Sequence, residues 1–262
     1  MSSLQRCGMI LYMDKATWLG LLVGFGGIIA GNLLEGGHMS SLMQLTAFII
    51  VLAGTIGAVM VSSSEKDLKT GLALAKAAFK TEESHIKNRI VEIVDYSRLA
   101  KKESLLALEP RIGRVSDPLL QNVLRSVVDG IDQNTIRDIY ETQILTEEDE
   151  LLAGAKVWAD AGGFAPTIGI IGAVLGLIHV MGNLTDTSKL GAGIAVAFVA
   201  TVYGVSSANL LFLPLGNKIK RKVHEITREK QLILEGGLMI AGGANPIVVE
   251  QKLHAFLTSE QK

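Results

Sequence analysis

The residues that could carry chemistry in this 262-residue chain are scattered, and they form none of the common catalytic patterns. The five histidines lack metal-ligand spacing, and the single cysteine, Cys7, excludes a disulfide framework or a cysteine metal site. No HExxH motif, Ser/His/Asp order or phosphate-binding glycine loop is present. The sequence therefore predicts no enzyme, no cofactor and no bound metal. The net charge of −1 argues against a nucleic-acid partner.

Two long uncharged stretches stand out in the second half of the chain. No Asp, Glu, Lys or Arg occurs from Gly162 to Thr185, or from Leu190 to Asn217. Each stretch exceeds the roughly 20 residues that a helix needs to cross about 30 Å of hydrocarbon. Small residues recur in them at helical spacing, which lets helices pack closely in lipid. These are Gly172, Gly176, Ala197, Thr201, Gly204 and Ala208. A simple hairpin anchor, the alternative, would not need them.

Two further uncharged segments lie near the start of the chain. One runs from Ala16 to Leu34, and the apolar part of the next runs from Leu42 to Val61. Both are long enough to cross a bilayer. With 48% hydrophobic residues, the composition also exceeds that of an ordinary soluble protein. The sequence predicts four transmembrane helices.

None of the four predicted spans contains Asp or Glu at mid-depth. Proton and sodium pathways ordinarily need an ionisable group inside the membrane, so an ion-conducting complex would take its carboxylate from another protein. The chain itself offers hydroxyl groups, chiefly those of Thr167, Thr201, Ser206 and Ser207. His179 falls near the outer end of the third span, where a packed or interfacial imidazole is a better interpretation than a proton relay.

The distribution of basic residues predicts the topology. Fourteen Lys and Arg lie between Ser64 and Phe164, and eight follow Asn217. The loop between the first two spans has none, and the loop between the last two has one. The positive-inside rule then places both termini and the long middle segment of a multi-pass membrane protein in the cytoplasm.

The expected fold class is an all-α membrane protein with a large cytoplasmic helical domain between spans 2 and 3 and a cytoplasmic C-terminal helical tail. Its predicted segments are an N-terminal stretch 1–15, of which 1–12 is an extension; spans 1 and 2 at 16–64; the cytoplasmic domain at 65–162; spans 3 and 4 at 163–217; and the tail at 218–262.

In the cytoplasmic segments, apolar periodicity, N-cap residues and prolines predict where the helices begin and end. Helices are expected from 65 to 79, from 84 to 108 and from 133 to 158, where the last leads into the third span. Asp117 before Pro118, and Asn245 before Pro246, are each an N-cap followed by a first-turn proline. Pro110 should end the preceding helix at Glu109, which places that carboxylate in the last helical turn against the helix dipole.

Five segments of the chain together resemble the MotA/PomA family of flagellar-motor stator proteins, which is related to ExbB and TolQ. They are LLALEPRI, LRSVVDGIDQNTIRDIYETQI, FAPTIGIIGAVLGLIHVMGNL, KLGAGIAVAFVATVYGVSSANLLFLPLGNKIK and EGGLMIAGGANPIVVEQKL, and the similarity covers Met13 to Leu257. The resemblance implies a homopentamer that encircles two copies of MotB. The MotB helix would bring an ion-carrying aspartate, and ion flow would drive rotation against the rotor protein FliG.

The resemblance also implies roles for particular residues. Pro166 and Pro214 match two family prolines on the cytoplasmic side of spans 3 and 4, where a kink could respond to protonation, although Pro214 could simply mark a boundary. Thr201 matches a hydroxyl of the conduction path. The rotor-facing charges correspond to Lys101 and Glu109, where lysine replaces the family's arginine and loses its bidentate fork. Arg98 or Lys102 could share that role.

The transported ion is predicted from two alanines. Sodium-driven relatives resemble this chain but carry threonine at the positions of Ala173 and Ala200, and a hard cation such as sodium needs several oxygen ligands. The chain is therefore expected to conduct protons. Three alternatives remain at this point: a sodium-driven stator, an ExbB/TolQ-like energising subunit, which would have one early span rather than two, and a non-conducting membrane scaffold.

Overall fold

The computed structural model describes residues 12–13, 15–81, 86–182 and 187–257. Apart from Tyr12, the predicted extension 1–12 lies outside these described residues. Nearly all of them are helical, which confirms the all-α fold class. One small exception is an antiparallel pair of two-residue strands, Tyr12–Met13 (β1) and Lys80–Thr81 (β2).

The α-helices of the described residues follow one another with short connections. In chain order they are α1 Lys15–Leu34, α2 Met39–Leu42, α3 Leu45–Ser62, α4 Glu65–Ala78, α5 Ile86–Lys102, α6 Glu109–Ile112, α7 Pro118–Val128, α8 Gln133–Met181, α9 Thr187–Ser207, α10 Leu213–Ala241 and α11 Pro246–His254. A 3₁₀ turn, Leu105–Leu108, precedes α6, and a π-helical segment, Ala208–Phe212, joins α9 to α10.

The chain divides into two compact units. The first consists of the described residues within Met1–Glu82 and Leu151–Arg221, and the second of those within Glu83–Glu150 and Lys222–Lys262. Four segments are long and apolar enough to cross a membrane, which confirms the predicted number of spans. They are Ala16–Leu34, Met39–Ser62, a part of Gln133–Met181 and a part of Leu190–Ala241.

In the first unit, a capping box separates the second span from α4. The Ser64 hydroxyl accepts a hydrogen bond from the backbone N–H of Asp67 at 3.1 Å, and the Asp67 carboxylate accepts one from the Ser64 N–H at 3.2 Å. Two N-terminal donors of α4 are thereby satisfied, so the new helix begins directly after α3 ends.

The helix α4 then packs closely against α8. A β-carbon added at Gly71 would lie 2.7 Å from the carbonyl oxygen of Gly154, so neither backbone leaves room for a side chain there. The Trp158 indole N–H donates to the carbonyl oxygen of Gly71 at 2.9 Å. The indole therefore fixes the position of α4 along α8.

The second unit has its own hydrophobic core, built from one face of each of its helices. Among its most deeply buried side chains are Ile93, Leu108, Leu120, Leu124, Ile136, Leu232, Ile233 and Leu253. The two predicted N-caps are confirmed, because Asp117 accepts from the N–H of Leu120 at 2.9 Å and Asn245 from that of Ile247 at 3.0 Å. Each cap satisfies a first-turn donor, and Pro118 and Pro246 follow without losing a bond.

The predicted helix from 84 to 108 is wrong at its C-terminal end. Its helix α5 stops at Lys102, and the chain turns into the 3₁₀ segment, whose Leu108 is fully buried in the core. Glu109 is therefore the first residue of α6 and does not lie in a last turn. Pro110 fits there because a proline in the first turn of a helix removes an N–H that has no intrahelical acceptor.

Candidate functional site

The packing of α8 against α9 brings Pro166 beside Gly204 in the first unit. A β-carbon at Gly204 would lie 2.5 Å from the carbonyl oxygen of Ala165 and 3.2 Å from the Cα of Pro166. Since ordinary van der Waals contacts of a β-carbon begin near 3.4 Å, the backbones touch at this point. The proline, which lacks an N–H, thus lies at a close approach of α9 to α8.

The same close approach continues along both helices. A β-carbon at Gly169 would lie 2.9 Å from the carbonyl oxygen of Ala200, and one at Gly176 would lie 2.8 Å from the backbone nitrogen of Ala197. This confirms the prediction that the small residues of the last two spans allow close helix packing.

Thr201 lies on this interface, since its Cα is 3.5 Å from a β-carbon built at Gly169. Its side chain is half-buried, and its hydroxyl donates to the carbonyl oxygen of Ala197 at 3.3 Å. The hydroxyls of Thr167 and Ser207 likewise donate within their own helices, to Phe164 at 2.8 Å and Gly204 at 3.1 Å. Each hydroxyl oxygen keeps acceptor capacity for a further group.

The two positions expected to set ion selectivity differ in their surroundings. Ala200 is fully buried, and its Cβ would lie 2.7 Å from a β-carbon added at Gly172. Ala173 is half-buried on α8. A larger side chain at position 200 would therefore press on α8.

Pro214 is exposed and lies in the first turn of α10, directly after the π-helical segment. The N–H of Leu213 donates to the carbonyl oxygen of Ala208, five residues back, which is the π-helical hydrogen bond. Pro214 has no N–H to donate, so the regular series of α-helical hydrogen bonds is interrupted there. The π-helical turn lies next to this interruption. This proline therefore marks a local irregularity between α9 and α10.

The predicted rotor-contact charges lie in the second unit, at the end of α5 and the start of α6. The Lys101 ammonium donates to the carbonyl oxygen of Gly243 at 2.9 Å, just beyond the C-terminus of α10. Arg98 forms ion pairs with Asp95 at 3.1 Å and with Glu250 at 3.8 Å. Both of these cations are thus held by contacts inside the second unit.

Lys102 and Glu109 differ from those two residues. Both are exposed, and neither side chain has a hydrogen bond or ion pair with another of the described residues. The structure does not pair Lys101 with Glu109, although the 3₁₀ turn connects their helices. Glu109 and Lys102 are the members of the predicted set whose charges remain open to a partner.

A half-buried arginine cluster in the second unit was not predicted. Arg89 of α5 contacts three carboxylates, those of Glu92 at 2.6 Å, Asp117 at 3.4 Å and Glu229 at 4.0 Å. Burial and the nearby Glu92 carboxylate raise the pKa of Tyr96 above its ordinary value. The sequence signal that could have revealed this cluster is a lone arginine on the apolar face of α5, because a charge placed there needs partners from other helices.

Comparison with known proteins identifies the family. The family model of the MotA/TolQ/ExbB proton channel family matches residues 112–231, and that of the motility protein A N-terminal region matches residues 18–102. Motility protein A of Bacillus subtilis (strain 168) is 36% identical over 95% of this chain and 93% of its own length. The chain belongs to the motility protein A family.

Solved structures agree with this membership. A C. jejuni MotAB structure matches with a TM-score of 0.89 and 33% identity, covering 95% of this chain and 97% of that chain. The flagellar MotAB stator complex from Bacillus subtilis matches with a TM-score of 0.86 and 36% identity, covering 94% and 97%. The predicted family and its stator-subunit function are thereby confirmed, and the chain is a membrane protein.

Proposed function

We propose that this chain is the ion-channel-forming subunit of a flagellar-motor stator, in which a homopentamer surrounds two copies of MotB and converts proton flow into torque on FliG. The observation that carries the proposal is the close-packed α8–α9 interface, where Pro166 and Thr201 lie on spans without a carboxylate at mid-depth. Solved relatives described as MotAB complexes support MotB as the partner that brings the carboxylate.

The proposed ion path uses the hydroxyl of Thr201 and two prolines, Pro166 and Pro214. Proline removes the hydrogen bond to the carbonyl four residues earlier, so the helix around Pro166 can bend at low cost. Protonation of the MotB carboxylate would then be transmitted through α8 to the cytoplasmic side, with Pro214 providing a second flexible point.

Proton rather than sodium selectivity follows from Ala173 and Ala200. Neither methyl group can supply an oxygen ligand. Ala200 is also fully buried, and its methyl group packs against Gly172 of α8. A sodium ion would have to replace its hydration shell with few protein oxygens. We therefore propose that protons are the transported species, with no other cofactor and no enzymatic step.

The proposed rotor contact comprises Lys101, Glu109, Arg98 and Lys102. The open charges of Glu109 and Lys102 support direct recognition of a charged partner surface, since an unpaired exposed charge can form a new pair without breaking an old one. Lys101 is hydrogen-bonded to Gly243 and Arg98 is ion-paired with Glu250. These two cations would therefore hold the helices of the contact surface in position.

The proposed topology places both termini and residues 65–162 in the cytoplasm and the chain in the bacterial inner membrane. The excess of Lys and Arg in those segments supports this orientation. The match to the motility protein A N-terminal model over residues 18–102, which includes both early spans, favours a stator over an ExbB-like subunit.

Swimming of stator-less cells in soft agar tests the function. Expression of this chain together with its cognate MotB should restore spreading, whereas this chain alone should not, because its spans carry no acidic residue at mid-depth. Spreading by the chain alone would contradict the requirement for a partner carboxylate. Lack of spreading when both proteins are present in the membrane would contradict the stator function.

A further inference from the structure

A single phenol joins the helix that carries Thr201 to the start of the second span. The Tyr203 hydroxyl accepts a hydrogen bond from the backbone N–H of Gln44 at 3.3 Å and donates one to the carbonyl oxygen of Leu42. Leu42 ends α2, and Gln44 is the N-cap of α3. The phenol of α9 therefore bridges the break between these two helices.

This break needs a polar partner. An interruption in a membrane-spanning segment leaves backbone groups that lipid cannot satisfy, and each such group is costly. Gln44 has an extended backbone with φ of −118°, and its own side chain makes no capping bond. Tyr203 supplies from another helix the donor and the acceptor that the segment lacks locally.

The ring of Tyr203 is also held in place by packing. It meets Phe48 edge to face, with ring centroids 6.3 Å apart, and it packs on a buried cluster of Ala47, Val51, Val199 and Ala200. The next residue, Gly204, touches α8 at Pro166. Two adjacent residues thus fix α9 against two different helices, Tyr203 against α3 and Gly204 against α8.

We propose that Tyr203 is a positioning residue of the ion pathway, whose hydroxyl closes the gap between α2 and α3 and so holds α9 in register with the second span. The inference rests on the proposed stator function, because the position of Thr201 matters only if α9 lines an ion path. Without the hydroxyl, Gln44 N–H and Leu42 C=O lose this partner, and α9 is free to shift along α3.

The variant Tyr203→Phe tests the structural half of this proposal, since it keeps the ring and removes the hydroxyl. Its matched control is Tyr140→Phe in the second unit, where the buried phenol shares a hydrogen bond of 2.9 Å with the Ser126 hydroxyl. In the purified complex with MotB, amide hydrogen exchange at Gln44 should be about fivefold faster in Tyr203→Phe, the factor that corresponds to one neutral hydrogen bond. Tyr140→Phe should leave it unchanged.

The functional half is tested by the torque of single stator units. Beads on flagellar stubs of stator-less cells gain speed in steps as complexes assemble, and the step height measures the torque of one complex. Tyr203→Phe should lower the step height, whereas a variant that merely folds less well, such as Tyr140→Phe, should change only the number of steps. Because the step height is measured for one complex at a time, it can be compared between variants even where less protein reaches the membrane.

The outcomes separate the two claims. Unchanged exchange at Gln44, or an unchanged step height, in Tyr203→Phe would overturn the positioning role while the wild-type rotation still supports the stator function. A wild-type complex that assembles but never turns the bead would overturn the stator function, and the positioning role with it.

Discussion

Replacing Gly204 with alanine should separate α9 from α8 at Pro166. The added β-carbon would lie 2.5 Å from the carbonyl oxygen of Ala165 and 3.1 Å from the Cα of Gly169, against an ordinary contact of at least 3.4 Å. Both opposing atoms belong to the backbone, so no side chain can rotate away. The helices must therefore move apart by about 1 Å, and overpacking of this kind costs about 1–3 kcal/mol.

Gly191→Ala is the matched control on the same helix. Among the described residues, no heavy atom beyond the helix's own backbone and the chain neighbours lies within 4 Å of a β-carbon at that position, and Gly191 is exposed. Alanine is favoured over glycine inside a helix by about 1 kcal/mol, so this variant should be as stable as the wild type or slightly more stable.

Two assays separate the consequences of these substitutions. Thermal unfolding of the detergent-solubilised complex should show Gly204→Ala melting below the wild type, and single-stator bead steps should show lower torque because Pro166 is displaced. Wild-type melting and torque in Gly204→Ala would refute the close approach of α8 and α9. Equal damage from Gly191→Ala would show that loss of flexibility, not contact, explains the result.

Three further variants address other parts of the chain. Glu109→Lys should reduce torque without lowering the amount of protein in the membrane, because the exposed carboxylate has no partner among the described residues. Pro166→Ala should abolish swimming while membrane insertion is kept, because the added N–H restores a hydrogen bond and stiffens α8. Asp117→Ala should destabilise the second unit by at least about 1 kcal/mol, since it removes the N-cap of α7 and one partner of Arg89.

Each of these variants has a result that would count against its reasoning. Normal swimming by Glu109→Lys would discredit its role in the rotor contact. Glu103→Lys controls for charge alone, because Glu103 is another exposed acid nearby whose side chain has no partner among the described residues. Full motor speed in Pro166→Ala would exclude a hinge at that residue. Chemical denaturation of Asp117→Ala at the wild-type midpoint would show that the cap bond contributes nothing.

The features predicted correctly from sequence depend on local chemistry or on long uncharged runs. The caps at Asp117 and Asn245 need only the residue itself, the following proline and a free N–H three residues or fewer away. The four spans follow from length and lack of charge. The small residues of spans 3 and 4 also indicated close packing, although not which residues meet.

The features that sequence missed depend on contacts between distant segments. The end of α5 was misplaced because burial of Leu108 outweighs the local preference for a continuous helix. The bridge from Tyr203 to Gln44, and the approach of Gly71 to Gly154, each join residues far apart in the chain. Gly71, a poor helix former inside an amphipathic helix, was the one available signal of such a contact.

Rotation of tethered cells tests the central claim most directly. Cells that lack their own stators would express this chain with its cognate MotB, and rotation speed would be measured in sodium-free and in sodium-rich buffer. A proton-driven stator with Ala173 and Ala200 in its pathway should turn the cells at the same speed in both. Rotation only in sodium would contradict the assigned ion, and no rotation in either buffer, with the complex assembled, would contradict the stator function itself.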